Sequence, residues 1–438
     1  YNFSGRYGGA IENRGILEMI HCTVANNSAE SDAGGVNNWQ AISLTMSNST
    51  VSANTSGRNG GGIWSSKPLT FSNTLVAGNR AAARNDIYHN SSTSSLGGNL
   101  IGDGSNAAGF IDGVGGDQIG TTALPIDARL APLGNYGGLT QTMPPLVGSP
   151  AIDAGGTTSL TTDQRGYSRV IAGIQANGVG SAVPDIGAVE AGVVRLVKNS
   201  SGGTGTDSLR DRLSAFVNPG ERILFNLEPT DNVITLTTAF SVGGTRNQFI
   251  DASALVDASG VVVEKDDGFG NFFIPRGVTL KQTAVQRIIF IDFNATAGIS
   301  GVRLTGGNQL NNRGGAIDNR GTLELINSTV DENRTSGTSF GSGGGINNGG
   351  SLGLHQCTIS GNTALSNGGA IVNSGELRID QSTISDNTAT LNGGGLFLEG
   401  SGTLTMSNSL VAGNTSGGSG PDLNRSGSSS IEIEEANL

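Results

Sequence analysis

The strongest constraint on what this chain can become is a unit of about 26 residues that recurs at both of its ends. Each unit reads Gly-Gly-x-apolar, then a short alternating stretch, then Ser-Thr-Val/Ile, and closes on an asparagine. The asparagines are Asn27, Asn54 and Asn79 near the start and Asn333, Asn362, Asn387 and Asn414 near the end, at spacings of 27 and 25, then 29, 25 and 27 residues. A unit this short cannot bury its own apolar face, so it must stack on its neighbours. Stretches such as Leu323-Glu-Leu325 and Leu377-Arg-Ile379 alternate with period two, and no i, i+3, i+4, i+7 pattern accompanies them. That is the mark of half-buried strands rather than helices. The expected fold is therefore all-β: a right-handed parallel β-helix, one coil per unit, each coil adding about 4.8 Å along the axis.

The slots of the unit have separate physical roles. Leu17/Met19, Leu44/Met46, Leu69/Phe71, Leu323/Leu325, Leu352/Leu354, Leu377/Ile379 and Leu404/Met406 should point inward and stack like on like. The glycine pairs suit corners that need positive φ or close backbone approach. The asparagine column is expected to form a structural amide ladder, since buried amides must be satisfied. A second amide-rich slot, His21, Asn48, Asn73, Asn327, Gln356, Gln381 and Asn408, is expected to do the same.

Composition agrees with a solenoid. Glycine is 71 of 438 residues and charged residues are 14%, against about 7% and 25% in ordinary globular chains, which disfavours a helical bundle. A net charge of −11 disfavours nucleic acid and anionic membrane as partners, because both need clustered Lys and Arg. No apolar run is long enough for a transmembrane segment, residues 1–7 do not read as a signal peptide, and two cysteines cannot make a disulfide framework.

Four regions follow: the last coils of a first β-helix at 1–100, a loop-rich closing segment or linker at 101–192, the cap and first coils of a second β-helix at 193–306, and its regular coils at 307–438. Asp207 can cap a short helix whose Leu209, Leu213 and Phe216 share one face. Such a helix would cover the open end of a coil stack, where unpaired edges and dry core must be hidden. Strands are expected from Val193 to Val197, Arg222 to Leu227, Asn232 to Phe240 and Val278 to Phe293.

Within these regions lie Gly98-Asn-Leu-Ile-Gly102, Leu133-Gly-Asn-Tyr-Gly-Gly-Leu-Thr140, Gly148-Ser-Pro-Ala-Ile-Asp-Ala-Gly155, Thr162-Asp-Gln-Arg-Gly166 and Pro184-Asp-Ile-Gly-Ala-Val-Glu190. On these motifs the chain resembles bacterial right-handed parallel β-helix surface proteins that end in a choice-of-anchor Q-like segment. The resemblance implies that this segment closes the carboxyl end of a β-helix. It also implies that Ser208-Leu-Arg-Asp211 with Ile223 to Phe225 is an amino-terminal start, so that an end precedes a beginning. Ser72-Asn-Thr-Leu-Val-Ala-Gly-Asn79 matches Ser407-Asn-Ser-Leu-Val-Ala-Gly-Asn414, which supports a window on a tandem array or a subunit completed head to tail by copies of itself.

Catalytic chemistry on a β-helix needs carboxylates converging on one face. The outward slot Glu18, Thr45, Thr70, Glu324, Gly353, Arg378, Thr405 carries no cluster, nor does Glu12, Asn37, Trp64, Asp318, Asn347, Val372, Phe397. His21, His89 and His355 form no metal triad, with His89 assigned to a loop and His355 to an outward strand slot. Cys22 and Cys357 fall in a small slot otherwise held by Ser49, Ser328, Ser382 or Ser409. No cofactor is expected, although the acidic loop Asp103, Asp112, Asp117 could hold Ca²⁺. Exposed Trp39, Trp64 and Phe397 could stack on a sugar or a neighbouring subunit. Asn-x-Ser/Thr matches include Asn54, Asn199, Asn294, Asn327, Asn333 and Asn414; Asn199 and Asn294, outside the ladder, suit glycan attachment best. The expected function is a non-catalytic extracellular or cell-surface structural protein, stacked end to end with copies of itself into a filament. A surface adhesin that binds glycans and a polysaccharide lyase or hydrolase are the alternatives.

Overall fold

The computed structural model describes residues 2–169, 183–203, 205–214, 220–244, 247–258, 262–263, 265–266, 272–273, 277–337 and 341–434. The chain forms two compact units, Tyr1–Val193 and Val194–Leu438. Each is a parallel β-solenoid.

In the first unit, four ladders of short strands run along the coil stack. One pairs Ile16–Ile20, Ser43–Ser47, Leu69–Ser72 and Thr93–Ser95 in parallel. Its register sets Leu17 on Leu44 on Leu69 and Met19 on Met46 on Phe71, as the alternation requires. Leu44, Met46 and Phe71 are fully enclosed. A second ladder pairs Ile11–Glu12, Val36–Asn38, Ile63–Ser65 and Ile87–His89. In the second unit a nine-stranded parallel ladder runs from Val194–Val197 to Ser430–Ile433, with Leu323, Leu352, Leu377 and Leu404 in one column. Burying such columns stabilises by roughly 1.5–3 kcal/mol per large aliphatic side chain, and no single coil could do this alone.

The glycine pairs divide their work. Gly343 holds φ +68°, open to a residue without Cβ, while a Cβ on Gly344 would run into the Gly369 carbonyl of the next coil. The first position needs the left-handed region and the second needs space.

The short helix Leu209–Ser214 buries Leu209 and Leu213 in the core of the second unit with Val197, Ile223 and Phe225. Phe216 lies outside the described residues. The cap differs from the expected one: Ser208 Oγ, not Asp207, accepts from the Asp211 amide at 3.2 Å, and Asp211 Oδ2 reaches back to the Asp207 amide at 3.0 Å. Ser208 immediately precedes the helix, which places its hydroxyl over the free amides.

The region 101–192 does two things, not one. Its first part covers the coil end: Ala107 and Phe110 join the core, and the Phe110 ring lies 5.4 Å from that of Phe71. Its second part turns back along the outer flank of the stack. Gln164 accepts from the Thr23 hydroxyl, the Ala188 amide donates to Thr50 Oγ1, and Ala128, Ala151 and Ile186 cover Leu75, Ala77 and Leu100. The segment is thus both an end cap and a lateral brace. The cause is chemical: Leu75 and Leu100 point outward from their strands and would otherwise face water.

Candidate functional site

The asparagine column is a continuous ladder. In the first unit, Asn27 Nδ2 donates to Asn54 Oδ1 at 2.9 Å and Asn54 Nδ2 to Asn79 Oδ1 at 2.9 Å. In the second, Asn333, Asn362, Asn387 and Asn414 are linked the same way at 2.9–3.0 Å. Every step is doubled, because each Oδ1 also accepts the backbone N–H of the preceding asparagine. Each ladder ends on an aspartate: Asp86 Oδ1 accepts both donors of Asn79, and Asp422 Oδ1 both donors of Asn414. A carboxylate accepts and does not donate, so it terminates the row. Slot alignment by asparagine alone does not single out these two aspartates. Their signal is the alignment of Asn85-Asp86-Ile87 with Pro421-Asp422-Leu423 in a slot elsewhere held by Gly or Ala.

A parallel row runs through Asn13, Asn38 and Ser65, and through Asn319, Asn348 and Asn373, at 2.7–2.9 Å. His89 is the next member by register, paired with Ser65 at the end of a strand and not in a loop; burial lowers its pKa. The small slot forms a third row, with the Cys22, Cys357 and Ser382 amides donating to the hydroxyls of Ser49, Ser382 and Ser409. Cys357 is buried, and desolvation pushes its thiol up to about 12.

The other amide-rich slot differs from expectation. His21, Asn48, Asn73, Asn327, Gln356, Gln381 and Asn408 all hold φ between 46° and 54°. They are selected for a left-handed corner, which Asn tolerates better than most residues. Gln356 and Gln381 bond each other at 2.9 Å, whereas Asn73 and Asn48 turn to Gly156 and Thr158 of the closing segment.

Two motifs of the closing segment, Thr162–Gly166 and Pro184–Glu190, meet in one buried knot. Asp163 holds Arg165 at 2.7 Å and accepts from the Glu190 amide. Arg169, fully enclosed, lies 3.7 Å from Glu190 and donates to the Gly187 carbonyl at 2.7 Å. Burial raises Glu190 and lowers Arg169. Thr162–Gly166 and Pro184–Glu190 are therefore one structural element.

Asp103, Asp112 and Asp117 do not converge. Asp117 Oδ1 ends another amide row by accepting from Asn99, Asp112 accepts from the Ile119 amide, and Asp103 takes the Thr122 hydroxyl. No trio of His, Cys, Asp or Glu among the described residues is arranged to hold a metal ion. Asp103 instead borders a cleft of about 580 Å³ together with Asp86, Arg80, Asp127 and Arg129. Burial pushes Asp86 up to about 6, against the pull of its bonds from Asn79 and the Asp103 amide.

Charged groups do cluster across adjacent coils in the second unit. His355 Nε2 lies 3.0 Å from Glu324 Oε2, and its Nδ1 lies 4.0 Å from Asp380 Oδ2, while the Ser407 hydroxyl donates to Asp380 Oδ1. Inspection of single slots misses this, because the cluster runs diagonally between two slots. Gly353 is what permits it: a Cβ there would collide with Glu324 Oε2. Burial alone would lower His355, but Asp380 and Glu324 reverse the sign and its pKa is raised. His355 and Glu324 side chains are 2% and 5% exposed, so a polymer chain cannot reach them and the cluster acts as an internal ion network.

Trp39 and Trp64 belong to a column of four rings, one per coil: Tyr7, Trp39, Trp64 and Tyr88. Phe397, expected to be exposed, is buried at 7%. Of the sequon asparagines, Asn54, Asn333 and Asn414 are buried in the ladders, Asn199 is half-buried, and Asn327 and Asn294 are exposed. No helix among the described residues is long and apolar enough to cross a membrane.

No protein-family model matches this chain, and neither the curated proteins nor the solved structures compared with it include a match.

Proposed function

We propose that this protein is a non-catalytic structural scaffold: β-solenoid modules repeated in tandem, displayed outside the cell, with coils of neighbouring modules or copies stacking end to end. The observation that carries the reading is that the same terminating device, an asparagine row ended by an aspartate, stands at matching positions in both units. Leu410 adds to it. It occupies the place of Leu75 in the aligned motif, yet it is 37% exposed where Leu75, beneath the closing segment, is 1% exposed. A neighbouring copy packed against that flank would cover it. The first coil of the first unit also leaves Ile11 and Leu17 half-exposed, whereas Val36 and Leu44 beneath the next coils are enclosed. A coil of a second copy stacked in register would bury them at about 25 cal/mol per Å² of apolar surface. The resemblance to choice-of-anchor Q-like surface proteins supports the extracellular setting.

Sedimentation and negative-stain electron microscopy of the purified chain test this. Rods that lengthen with concentration, and that Leu17→Lys shortens, are expected. A singly dispersed particle at all concentrations would overturn end-to-end stacking.

A further inference from the structure

A strip on the first unit has a chemistry that the scaffold does not need. Tyr7, Trp39, Trp64 and Tyr88 come from four successive coils, with ring centroids 6.0, 5.8 and 5.8 Å apart. Trp64 and Tyr88 are in register on neighbouring strands, and Trp39 reaches over from the coil before. Trp39 is 45% exposed and the other three rings are half-buried. Isolated surface aromatics need no explanation, but a row of one ring per coil is a built surface. It holds four of the chain's seven Trp and Tyr residues (2 + 5) in a protein with only 5% aromatics.

The borders of the strip are charged, and mostly of one sign. The Arg6 guanidinium sits 5.1 Å from the Tyr7 ring centre, and that of Arg84 4.5 Å from Tyr88. Arg58 lines a cleft of about 200 Å³ with Tyr7, Asp32, Asn37, Trp39 and Trp64. No ion pair among the described residues engages Arg6, Arg58 or Arg84; Arg84 Nε and Nη1 donate to the neutral side-chain oxygens of Asn106 and Asn59 at 3.2 and 2.7 Å, which leaves its charge without a carboxylate. Asp32, the carboxylate in the cleft wall, is turned to Asn59, whose amide and Nδ2 it accepts at 3.2 and 2.8 Å. Glu12, near the Tyr7 end, is held by Arg14 at 2.8 Å. An acidic chain of net charge −11 thus presents three arginines along one aromatic row.

We infer that this strip binds an anionic polysaccharide, a carboxylate-bearing uronan, laid along the solenoid axis. The apolar C–H faces of pyranose rings pack on the aromatic rings, and the uronate carboxylates meet Arg6, Arg58 and Arg84, with guanidinium forks suited to bidentate pairing. A neutral glycan would use the rings and leave the three guanidinium charges without a counter-ion. The inference does not depend on end-to-end stacking, since every residue of the strip lies within one unit.

Both tryptophans of the chain are in the strip, so their emission reports occupancy directly. The test is a fluorescence titration of the whole chain with polygalacturonate and alginate, with dextran and xylan alongside. Saturable quenching or a spectral shift by the uronans, weakened by added salt, is expected. Arg58→Glu should weaken it at least about tenfold, as should Trp39→Ala, with the far-UV circular dichroism of both variants unchanged. Arg58→Glu keeps both tryptophans, so it remains readable if Trp39→Ala misfolds. No response to either uronan, an equal response to dextran or xylan, or undiminished binding by Arg58→Glu would overturn the inference. So would concentration-dependent self-association lost in Trp39→Ala, which would assign the strip to a second copy of the chain.

Discussion

Asn54 offers the sharpest test of how the solenoid is held together. The side chain is fully enclosed, and five hydrogen bonds converge on it. Nδ2 donates to the Val24 carbonyl at 2.9 Å, the Ser52 carbonyl at 3.0 Å and Asn79 Oδ1 at 2.9 Å, while Oδ1 accepts the Asn27 amide at 3.0 Å and Asn27 Nδ2 at 2.9 Å. Truncation by Asn54→Ala removes all five. Two partners keep other bonds: Asn79 Oδ1 retains the Asn54 backbone N–H, and Asn27 Nδ2 retains the Ala25 carbonyl. The Asn27 amide and the Val24 and Ser52 carbonyls lose this bond. At about 1 kcal/mol per net hydrogen bond, more for a buried group left unmet, the cost is about 3–5 kcal/mol. That is a large share of the roughly 5–15 kcal/mol that stabilises a domain. Asn54→Asp is isosteric but turns an oxygen toward three acceptors, so at neutral pH it should cost more than alanine and recover as acid protonates it. Trp39 and Trp64 are the chain's tryptophans and lie in the first unit, so urea unfolding followed by tryptophan emission isolates the unit concerned. A loss below about 1 kcal/mol for Asn54→Ala, or an Asn54→Asp variant as stable as the parent, would refute the ladder as a stabilising element.

Four other perturbations bear on particular residues. Gly353→Ala should push Glu324 off His355 and destabilise the second unit by about 1–3 kcal/mol, read as faster amide exchange in strands Thr322–Ile326 and Ser351–His355; unchanged protection would count against the geometry. The raised His355 pKa means that its contribution is fully present below the usual 6.5 and fades as pH rises through the folded value, while Asp380, depressed by His355 and Ser407 against the opposing effect of burial, contributes above 3.8 and loses this as acid protonates it. Protection in the second unit should therefore peak between those values, and His355→Gln should flatten the alkaline side. Asp86 is shifted as His355 is, and opposite to Asp380: raised from 3.8 to about 6, it should make the first unit about 1 kcal/mol more stable at pH 5 than at pH 7, a difference that urea midpoints should lose in Asp86→Asn. At the left-handed corner of Gln381 (φ +47°), Gln381→Gly should shift stability by less than about 1 kcal/mol and Gln381→Val should cost about 1–2 kcal/mol, measured by thermal unfolding.

The parts of the structure that are legible in the sequence are those that repeat. A column such as Leu323, Leu352, Leu377 and Leu404 is visible because stacking makes each coil's environment a copy of the last, and the same holds for Asn333 through Asn414. Chemistry that breaks the period is harder to see. Glu324, His355 and Asp380 belong to two different outward slots, and Gly353 looks like a gap when it is the space through which they meet. Tyr7 and Trp39 lie outside the slot that Trp64 and Tyr88 share, so half of the aromatic row is hidden from a slot alignment. The second amide slot misleads for another reason: Asn and Gln serve both as hydrogen-bonding rungs and as tolerable left-handed residues, and residue types alone do not separate the two.

Local pattern alone determined that the chain is a stack of short parallel strands with apolar columns inside and an asparagine at each turn, because period, alternation and glycine placement act within one coil or between adjacent ones. Only the tertiary structure decided where the non-repeating parts go. The closing segment braces the flank at Thr23, Thr50 and Leu75 as well as sealing the end, and Thr162–Gly166 finds Pro184–Glu190. The contacts to Thr23 and Thr50 join residues well over a hundred positions apart through surfaces that exist only once the coils are stacked, and the Thr162–Glu190 contacts follow no repeat, so no periodic pattern in the sequence marks them.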